Sequence, residues 1–316
     1  MSAAAGDPVV SVIVPTYGRP DSLARAVESV ADQTYGAVEL VVVDDHSPSP
    51  VRPVLEQARL SGVHWQCHRH DENRGASAAR QTGIDESAGE VVAFLDDDDY
   101  WGPELVERVV ERFETGGRGV GVVTVGARVV DSDGRQIGRA RPEFSGKVTR
   151  EILTGAIEPG TYSRIAVRRR LVEAAGGPDS RFPSWQDKEW HVRLSQHCSY
   201  ASVPDPLVVR RYLDQDQITD DFEAKRDVSY PLLVEKYGDL AVAYGPECHR
   251  QFLGHLTESL GFSALRNGHY CEAVRYLVRA IRHDPGSRSS YVFLLAALGG
   301  PLTYWPASRL RRWLAG

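Results

Sequence analysis

Three apolar runs, each stopped by a polar cluster, restrict this chain to a narrow set of folds. Residues 9–14 lead into Pro15, Thr16 and Tyr17. Residues 38–43 stop at Asp44 and Asp45, and residues 91–95 stop at Asp96, Asp97, Asp98 and Asp99. Short apolar runs bounded in this way read as strands covered on both faces, the setting of a parallel sheet. Helical segments lie between them. One is capped by Asp21 and reaches about Asp32, and others cover about 51–60 and 76–86, with a further strand at about 63–68. Strands alternating with helices make βαβ units and a mostly parallel sheet. Ligands of such sheets lie beyond the carboxyl ends of the strands. The three polar clusters, distant in sequence, are therefore expected to converge.

The pattern changes after Gly119. Residues 120–130 read as a long strand, followed by the turn signal Asp133-Gly134. Further strands are expected at 161–167 and 208–212, with helices near 169–175 and over 185–197. Beyond about Asp220 the sequence reads as helical. Residues 265–285 resemble one tetratricopeptide-like helix pair through Gly268, Tyr270, Ala273, Ala280 and Pro285. A solenoid needs about three or more such repeats, so this pair is read as a packing hairpin.

Composition narrows the function. The 316 residues suit two domains, or one domain with an extension. Cys67, Cys198, Cys248 and Cys271 form no CxxC pair, which points away from a disulfide framework or zinc site and toward a reducing cytoplasm. The opening residues lack a basic segment followed by a long apolar one, so no signal peptide is expected. The net charge of −6 is uneven: from Tyr270 onward arginines outnumber acids seven to two, leaving −11 on the remainder. An acidic body is the wrong partner for nucleic acid, which needs a basic face.

The run FLDDDDYW is the strongest chemical feature. Two like unit charges ~4 Å apart repel by about 4 kcal/mol at an effective dielectric near 20. A divalent cation removes that cost, and oxygen ligands suit Mg²⁺ or Mn²⁺. Mg²⁺ often takes one or two carboxylates and completes its shell with substrate phosphates, which a nucleotide diphosphate supplies. A solvated acidic loop is the plainer reading, but position at the end of a buried strand weighs against it. A carboxylate of Asp44-Asp45 can accept from a base N–H such as uracil N3, or simply cap the following helix. Tyr17 can stack on the same base, or simply pack.

Taken together, these pieces resemble glycosyltransferase family two, the inverting enzymes of GT-A fold. The resemblance is carried by VSVIVPTYGRP, ELVVVDDHS and NRGASAARQTGIDESAGEVVAFLDDDD, in that order and spacing. FPSWQDKEWHVRL is similar to the family's acidic acceptor-side motif, and VPDPLVVRRY to the strand after it. The similarity spans residues 9–212. It implies an α/β fold with a Rossmann-like mixed sheet, a catalytic domain over 9–219 and a helical C-terminal region over 220–316. It further implies that Pro15, Thr16 and Tyr17 line the nucleotide pocket, that Asp45 binds the base, that Arg74 lies near the nucleotide and that Asp96 faces the nucleoside. Asp98 would ligate the metal, with Asp99 an adjacent candidate and Asp97 at the variable position. Asp187 would be the catalytic base. The family's usual acidic pair before that helix is Glu-Asp, and here it is Gln186-Asp187. The donor expected is a UDP-sugar, and the acceptor a hydroxyl of a lipid-linked or cell-envelope glycan.

Competing readings fare worse. A dinucleotide oxidoreductase wants GxGxxG after the first strand, where this chain has PTYGRP. A metal-dependent nucleotidyltransferase wants a basic glycine-rich loop there, and only Arg19 is present. A helical scaffold with a non-catalytic nucleotide domain leaves the acid cluster unexplained. The apolar stretch 291–298, with Leu302, Tyr304 and Trp305 beyond it and Arg309, Arg311 and Arg312 close behind, suits either an interfacial segment or a core helix docked on the catalytic domain with the arginines as its solvated end. The expected location is cytoplasmic, peripheral on the inner face of the cell membrane.

Overall fold

The apolar run at the N-terminus forms strand β1 (Val10–Thr16), buried along its whole length. The computed structural model describes residues 6–212 and 221–300. They divide into two compact units. The first comprises Met1–Val148, Pro159–Ser180 and Trp190–Tyr212, and the second Thr149–Glu158, Arg181–Glu189 and Leu213–Gly316.

The first unit holds the sheet. Beside β1 lie β2 (Val38–Asp44) and β4 (Val91–Phe94), both parallel to it, and β3 (His64–Arg69) runs parallel to β2. The full order is β3-β2-β1-β4-β8-β6-β9-β5, with β5 at Tyr100–Trp101, β6 at Val120–Val130, β8 at Ile165–Arg168 and β9 at Ser199–Arg211. β7 (Gln136–Ala140) pairs with β6 through the turn at Asp133-Gly134. Past β4 the sheet becomes mixed: β8 is antiparallel to both β4 and β6, whereas β6 and β9 are parallel.

Alternating residues of β1 face opposite helix layers. Val10, Val12 and Val14 join a core with Leu23, Ala26, Val27 and Val30 of α1 (Pro20–Ala31). Leu105, Val109 and Phe113 of α4 (Leu105–Thr115) belong to the same core. On the other face Ile13 meets α3 (Ala76–Asp85) at Gly83, where an added Cβ would lie 2.3 Å from an Ile13 methyl. That glycine lets α3 lie flush on β1. Phe94 packs edge-on against Trp190, with ring centroids 5.4 Å apart.

Some elements depart from expectation. The strand expected at 161–167 begins as a 3₁₀ turn (Tyr162–Arg164) before β8. The strand expected at 208–212 is the end of the much longer β9. The sequence expectations do not include α4, β5, β7 or the short helix α5 (Thr149–Thr154). α2 (Arg52–Gln57) is shorter than the expected 51–60.

The second unit is helical, and it also takes in Thr149–Glu158 and Arg181–Glu189 from the stretch assigned by sequence to the catalytic domain. Its main helices are α9 (Tyr230–Ala243), α10 (Pro246–Arg266), α11 (Tyr270–His283) and α12 (Arg288–Leu298). The span 265–285, expected to hold a helix pair, holds only the end of α10 and the whole of α11; the two helices form a hairpin that begins well before that span and turns at Gly268, whose φ of 78° is left-handed. Gly261 lets the two helices approach, since a Cβ there would meet Leu277 at 2.6 Å. Leu260, Ala264, Ala273, Leu277 and Ala297 form the core with Phe222. No helix among the described residues is long and apolar enough to cross a membrane. The rest of the expected interfacial segment, Leu302, Tyr304, Trp305, Arg309, Arg311 and Arg312, lies outside the described residues.

Candidate functional site

Strand order 3-2-1-4 puts a topological switch point between β1 and β4, the place where sheets of this kind hold ligands in a crevice beyond the carboxyl ends. The three polar clusters meet there. Thr16 ends β1 opposite Asp44 of β2, and the Thr16 carbonyl accepts from the Asp45 amide at 2.9 Å. The Thr16 hydroxyl donates to Asp97 Oδ2 at 2.7 Å. Pro15 is buried in the strand. Tyr17, 51% exposed, stands free of the core.

Asp44 and Asp45 have separate tasks. Asp44 accepts from the amides of Ser47 (2.8 Å) and Val51 (3.3 Å) and pairs with Arg69. Burial alone would raise its pKa, but these bonds outweigh burial and lower it. Asp45 is also buried. It accepts from His70 Nδ1 (2.7 Å) and from the amides of Arg74 (2.9 Å) and Gly75 (2.7 Å) at the start of α3. A carboxylate offers about four acceptor positions, and these three donors take up three of them. The Arg74 side chain is exposed. His46, next in sequence, has a φ of 65°, a conformation costly for a residue with a Cβ and concentrated at functional sites.

The four aspartates after β4 make a tight turn, with the Asp99 amide donating to the Asp96 carbonyl at 3.0 Å. Asp96 pairs with Arg80 of α3 at 2.6 Å, and the Arg80 guanidinium lies 3.9 Å over the Tyr162 ring. Arg19 donates through one nitrogen to both Asp97 (3.0 Å) and Asp98 (3.1 Å). Asp99 accepts from the Arg211 amide at 3.2 Å, and Arg210 lies 3.9 Å away. Burial, reinforced by the charges of Asp96 and Asp97, pushes Asp98 up to about 6. Burial, followed by Asp98 and Asp96, pushes Asp99 up to about 8. Sequence reasoning missed Arg80, His70, Arg210 and Ser163, whose hydroxyl accepts from the Asp96 amide at 3.1 Å, and did not give Arg19 a place among these acids. It also left Asp97 without a task, though Asp97 is the residue that ties the turn to β1.

Among the described residues, no three His, Cys, Asp or Glu side chains are gathered as a ready-made metal cage. The donor set nonetheless fits Mg²⁺ or Mn²⁺. Asp96 and Asp98 retain partly exposed carboxylates, with side-chain exposures of 27% and 17%. One or two carboxylates suffice when a diphosphate completes the shell.

Asp187 lies in the second unit, in the first turn of α7 (Gln186–Ser195), and accepts from the Lys188 amide at 2.8 Å. Trp185, just before the helix, is the other described non-glycine residue with left-handed φ, at 59°. The Gln186 side chain donates to the Phe182 carbonyl at 3.0 Å. Glu189 is fully buried, held by Lys236 and the Tyr237 hydroxyl, each at 2.6 Å.

Lys188 donates to His255 Nε2 at 2.9 Å. Gly155 admits the ring, since a Cβ there would lie 2.2 Å from it. Burial lowers Lys188 to about 8, and burial with the Lys188 charge holds His255 well below its usual 6.5. The unfolded chain therefore binds a proton at His255 at a pH where the native protein does not. The stability attached to neutral His255 is whole above pH 6.5 and is lost as pH falls through the folded value. Its slope reaches about 1.4 kcal/mol per pH unit for one proton. His255→Gln keeps an acceptor for Lys188 and removes the titration. Urea unfolding at about pH 7.5 and 5.5 should show a smaller loss for this variant than for the parent protein. Equal losses would exclude His255 as the source.

Known proteins point the same way. Residues 11–175 match the model of the family described as glycosyl transferase family 2. An uncharacterized glycosyltransferase of Nostoc sp. is 32% identical over 52% of this chain and 52% of its own length. A UDP-Glc:alpha-D-GlcNAc-diphosphoundecaprenol beta-1,3-glucosyltransferase of Escherichia coli, WfaP, is 30% identical over 34% of this chain and 42% of its own. The matched stretch thus spans about half of such relatives. Among solved structures, S. aureus TarS in complex with UDP-GlcNAc superposes with a TM-score of 0.59 at 17% identity, covering 89% of this chain and 93% of that one. This likeness establishes the fold.

Proposed function

The chain belongs to glycosyl transferase family 2, and from that premise we propose that it transfers a sugar from a UDP-sugar to an acceptor hydroxyl with inversion at the anomeric carbon. The observation that carries this reading is the acid cluster 96–99 at the β1/β4 switch point, tied to β1 through Thr16 and Arg19. A nucleoside diphosphate lies across this crevice in the reading. Asp45 accepts from the base, Tyr17 stacks on it, and Pro15 and Thr16 form the floor. Arg74 approaches the nucleotide from the start of α3, and Asp96 faces the nucleoside. Asp98, with Asp96 in support, would hold a divalent cation, which would supply positive charge to offset the negative charge developing on the departing diphosphate. Asp187 takes the proton from the acceptor hydroxyl, and the freed oxygen attacks from the face opposite the leaving group. A single displacement of this kind inverts the centre and needs no covalent enzyme intermediate.

The acceptor in this reading is a lipid-linked or cell-envelope glycan. Support comes from WfaP, whose own acceptor is a sugar on diphosphoundecaprenol. The UDP preference draws on TarS, which binds UDP-GlcNAc.

A thermal-shift panel of UDP-, GDP- and dTDP-sugars, each with and without Mn²⁺, tests the donor. At a hundredfold excess over Kd a ligand of the native state stabilises it by about 2.7 kcal/mol. UDP-sugars with Mn²⁺ are expected to give the largest rise in Tm. A larger rise with GDP-sugars would overturn the base assignment at Asp45 and Tyr17.

A further inference from the structure

Helix α12 is apolar on both sides. Its inner side buries Ser290 and Ala297 and packs Phe293 and Leu294 against the second unit's core. Its outer side carries Tyr291, Val292, Leu295 and Leu298, with Val292 63% and Leu295 70% exposed. Residues 291, 295 and 298 recur at the spacing of one helical face, with 292 beside them. A surface helix normally turns a polar face outward. Four of the nine large hydrophobic side chains exposed among the described residues are gathered on this one helix. Such gathering, unlike scattered exposed side chains, marks an interaction surface.

The neighbouring helix supplies charge. Arg275, Arg279 and Arg282 form an exposed row on α11, away from the buried Ala273, Leu277 and Ala280. None of the three pairs with a carboxylate among the described residues. The nearby acids are committed elsewhere: Glu272 to Arg226 at 2.9 Å, and Asp284 to the Gly286 amide at 3.1 Å. Arg288 opens α12 and is also exposed. The sequence after 300 adds Arg309, Arg311 and Arg312 and no acid.

We propose that the outer face of α12, with the arginine row of α11, docks the protein on a bilayer containing anionic lipids. Charge selects this occupant. A second copy of the same face would set arginine row against arginine row. The C-terminal segment would bring three more arginines to a region where arginines already outnumber acids. An anionic bilayer supplies both an apolar layer for Val292, Leu295 and Leu298 and headgroups for the arginines. Eleven residues of helix span about 16 Å, against a hydrocarbon core about 30 Å thick, so α12 lies along the surface and does not cross it. The acidic remainder of the chain is repelled by the same headgroups.

The test uses the full-length protein and vesicles of phosphatidylcholine alone or mixed in equal parts with phosphatidylglycerol. The protein is expected to float with the mixed vesicles at low salt, to float poorly with phosphatidylcholine alone, and to be released as salt screens the arginines. Val292→Glu combined with Leu295→Glu alters only exposed positions and should leave the melting transition in place while weakening vesicle binding at least about tenfold. Arg275→Gln, Arg279→Gln and Arg282→Gln together should erase the preference for phosphatidylglycerol. Protein that stays out of the floated fraction at low salt overturns the proposal. So does unchanged binding by the glutamate variant, and so does a dimer in light scattering that this variant dissociates. No sugar donor or acceptor enters the measurement, so its outcome stands apart from that of the transfer reaction.

Discussion

Replacing Asp98 with alanine is expected to reduce sugar transfer by about 10³-fold, as several kcal/mol of charge stabilisation at the leaving diphosphate is lost. EDTA should do the same to the unaltered protein. The fold itself is not expected to suffer. Asp98 sits in a turn with three other aspartates, and burial together with Asp96 and Asp97 already disfavours its charge. Removing it relieves repulsion and leaves Arg19 still paired with Asp97 at 3.0 Å. The melting temperature without ligand should therefore hold or rise while the Mn²⁺-dependent shift with UDP-sugar disappears. Activity and melting temperature thus move independently, which separates a lost ligand from a lost fold. Full transfer in EDTA would refute the metal reading, and a collapsed melting transition in Asp98→Ala would assign the residue to structure.

Asp187→Asn tests the other half of the chemistry. The amide keeps the size of the carboxylate and an oxygen to accept the Lys188 amide, which now donates at 2.8 Å. What it loses is basicity. General-base catalysis contributes typically 10²–10⁴-fold, so transfer should fall by at least about 10²-fold while donor affinity stays near normal. Turnover near that of the parent would remove Asp187 from the role. Glu189, the neighbouring acid in sequence, is a poor replacement: its carboxylate is fully buried against Lys236 and Tyr237.

The parts of the fold that were legible in sequence are those where one physical signal dominates. β1, β2 and β4 are covered on both faces, and an unbroken apolar run has few other solutions. The first half of β9 hid its character. Its sequence SYASVPDP carries two prolines and an aspartate, and its register against β6 slips between Val125 and Ala127. Gly126 sits in that slip, where a Cβ would meet the Pro204 carbonyl at 2.4 Å. Helix α4 is a different case. Leu105, Val106, Val109, Val110 and Phe113 make a clear helical stripe, so the sequence does carry its signal, beside the more arresting aspartates.

The site divides in the same way. The polar residues at the three strand ends could be placed because the parallel topology fixes where strand ends go. Their partners could not. Arg80 reaches Asp96 from the middle of α3, His70 reaches Asp45 from the loop after β3, and Arg19 reaches Asp97 across 78 residues of chain. No local pattern distinguishes these side chains from solvated ones. Each became visible only when tertiary packing closed the distance.

Asp45 is one carboxylate with several masters. It holds His70 and the amides of Arg74 and Gly75, and so fastens the end of β2 to the start of α3. A descendant of this chain that had lost every nucleotide would still be penalised for losing Asp45, because two amides and an imidazole would be left without their acceptor. The position is thus not free to drift when the donor changes. In the proposed reading, a change of nucleobase is then recorded in side chains with fewer obligations, such as Tyr17, exposed and outside the core.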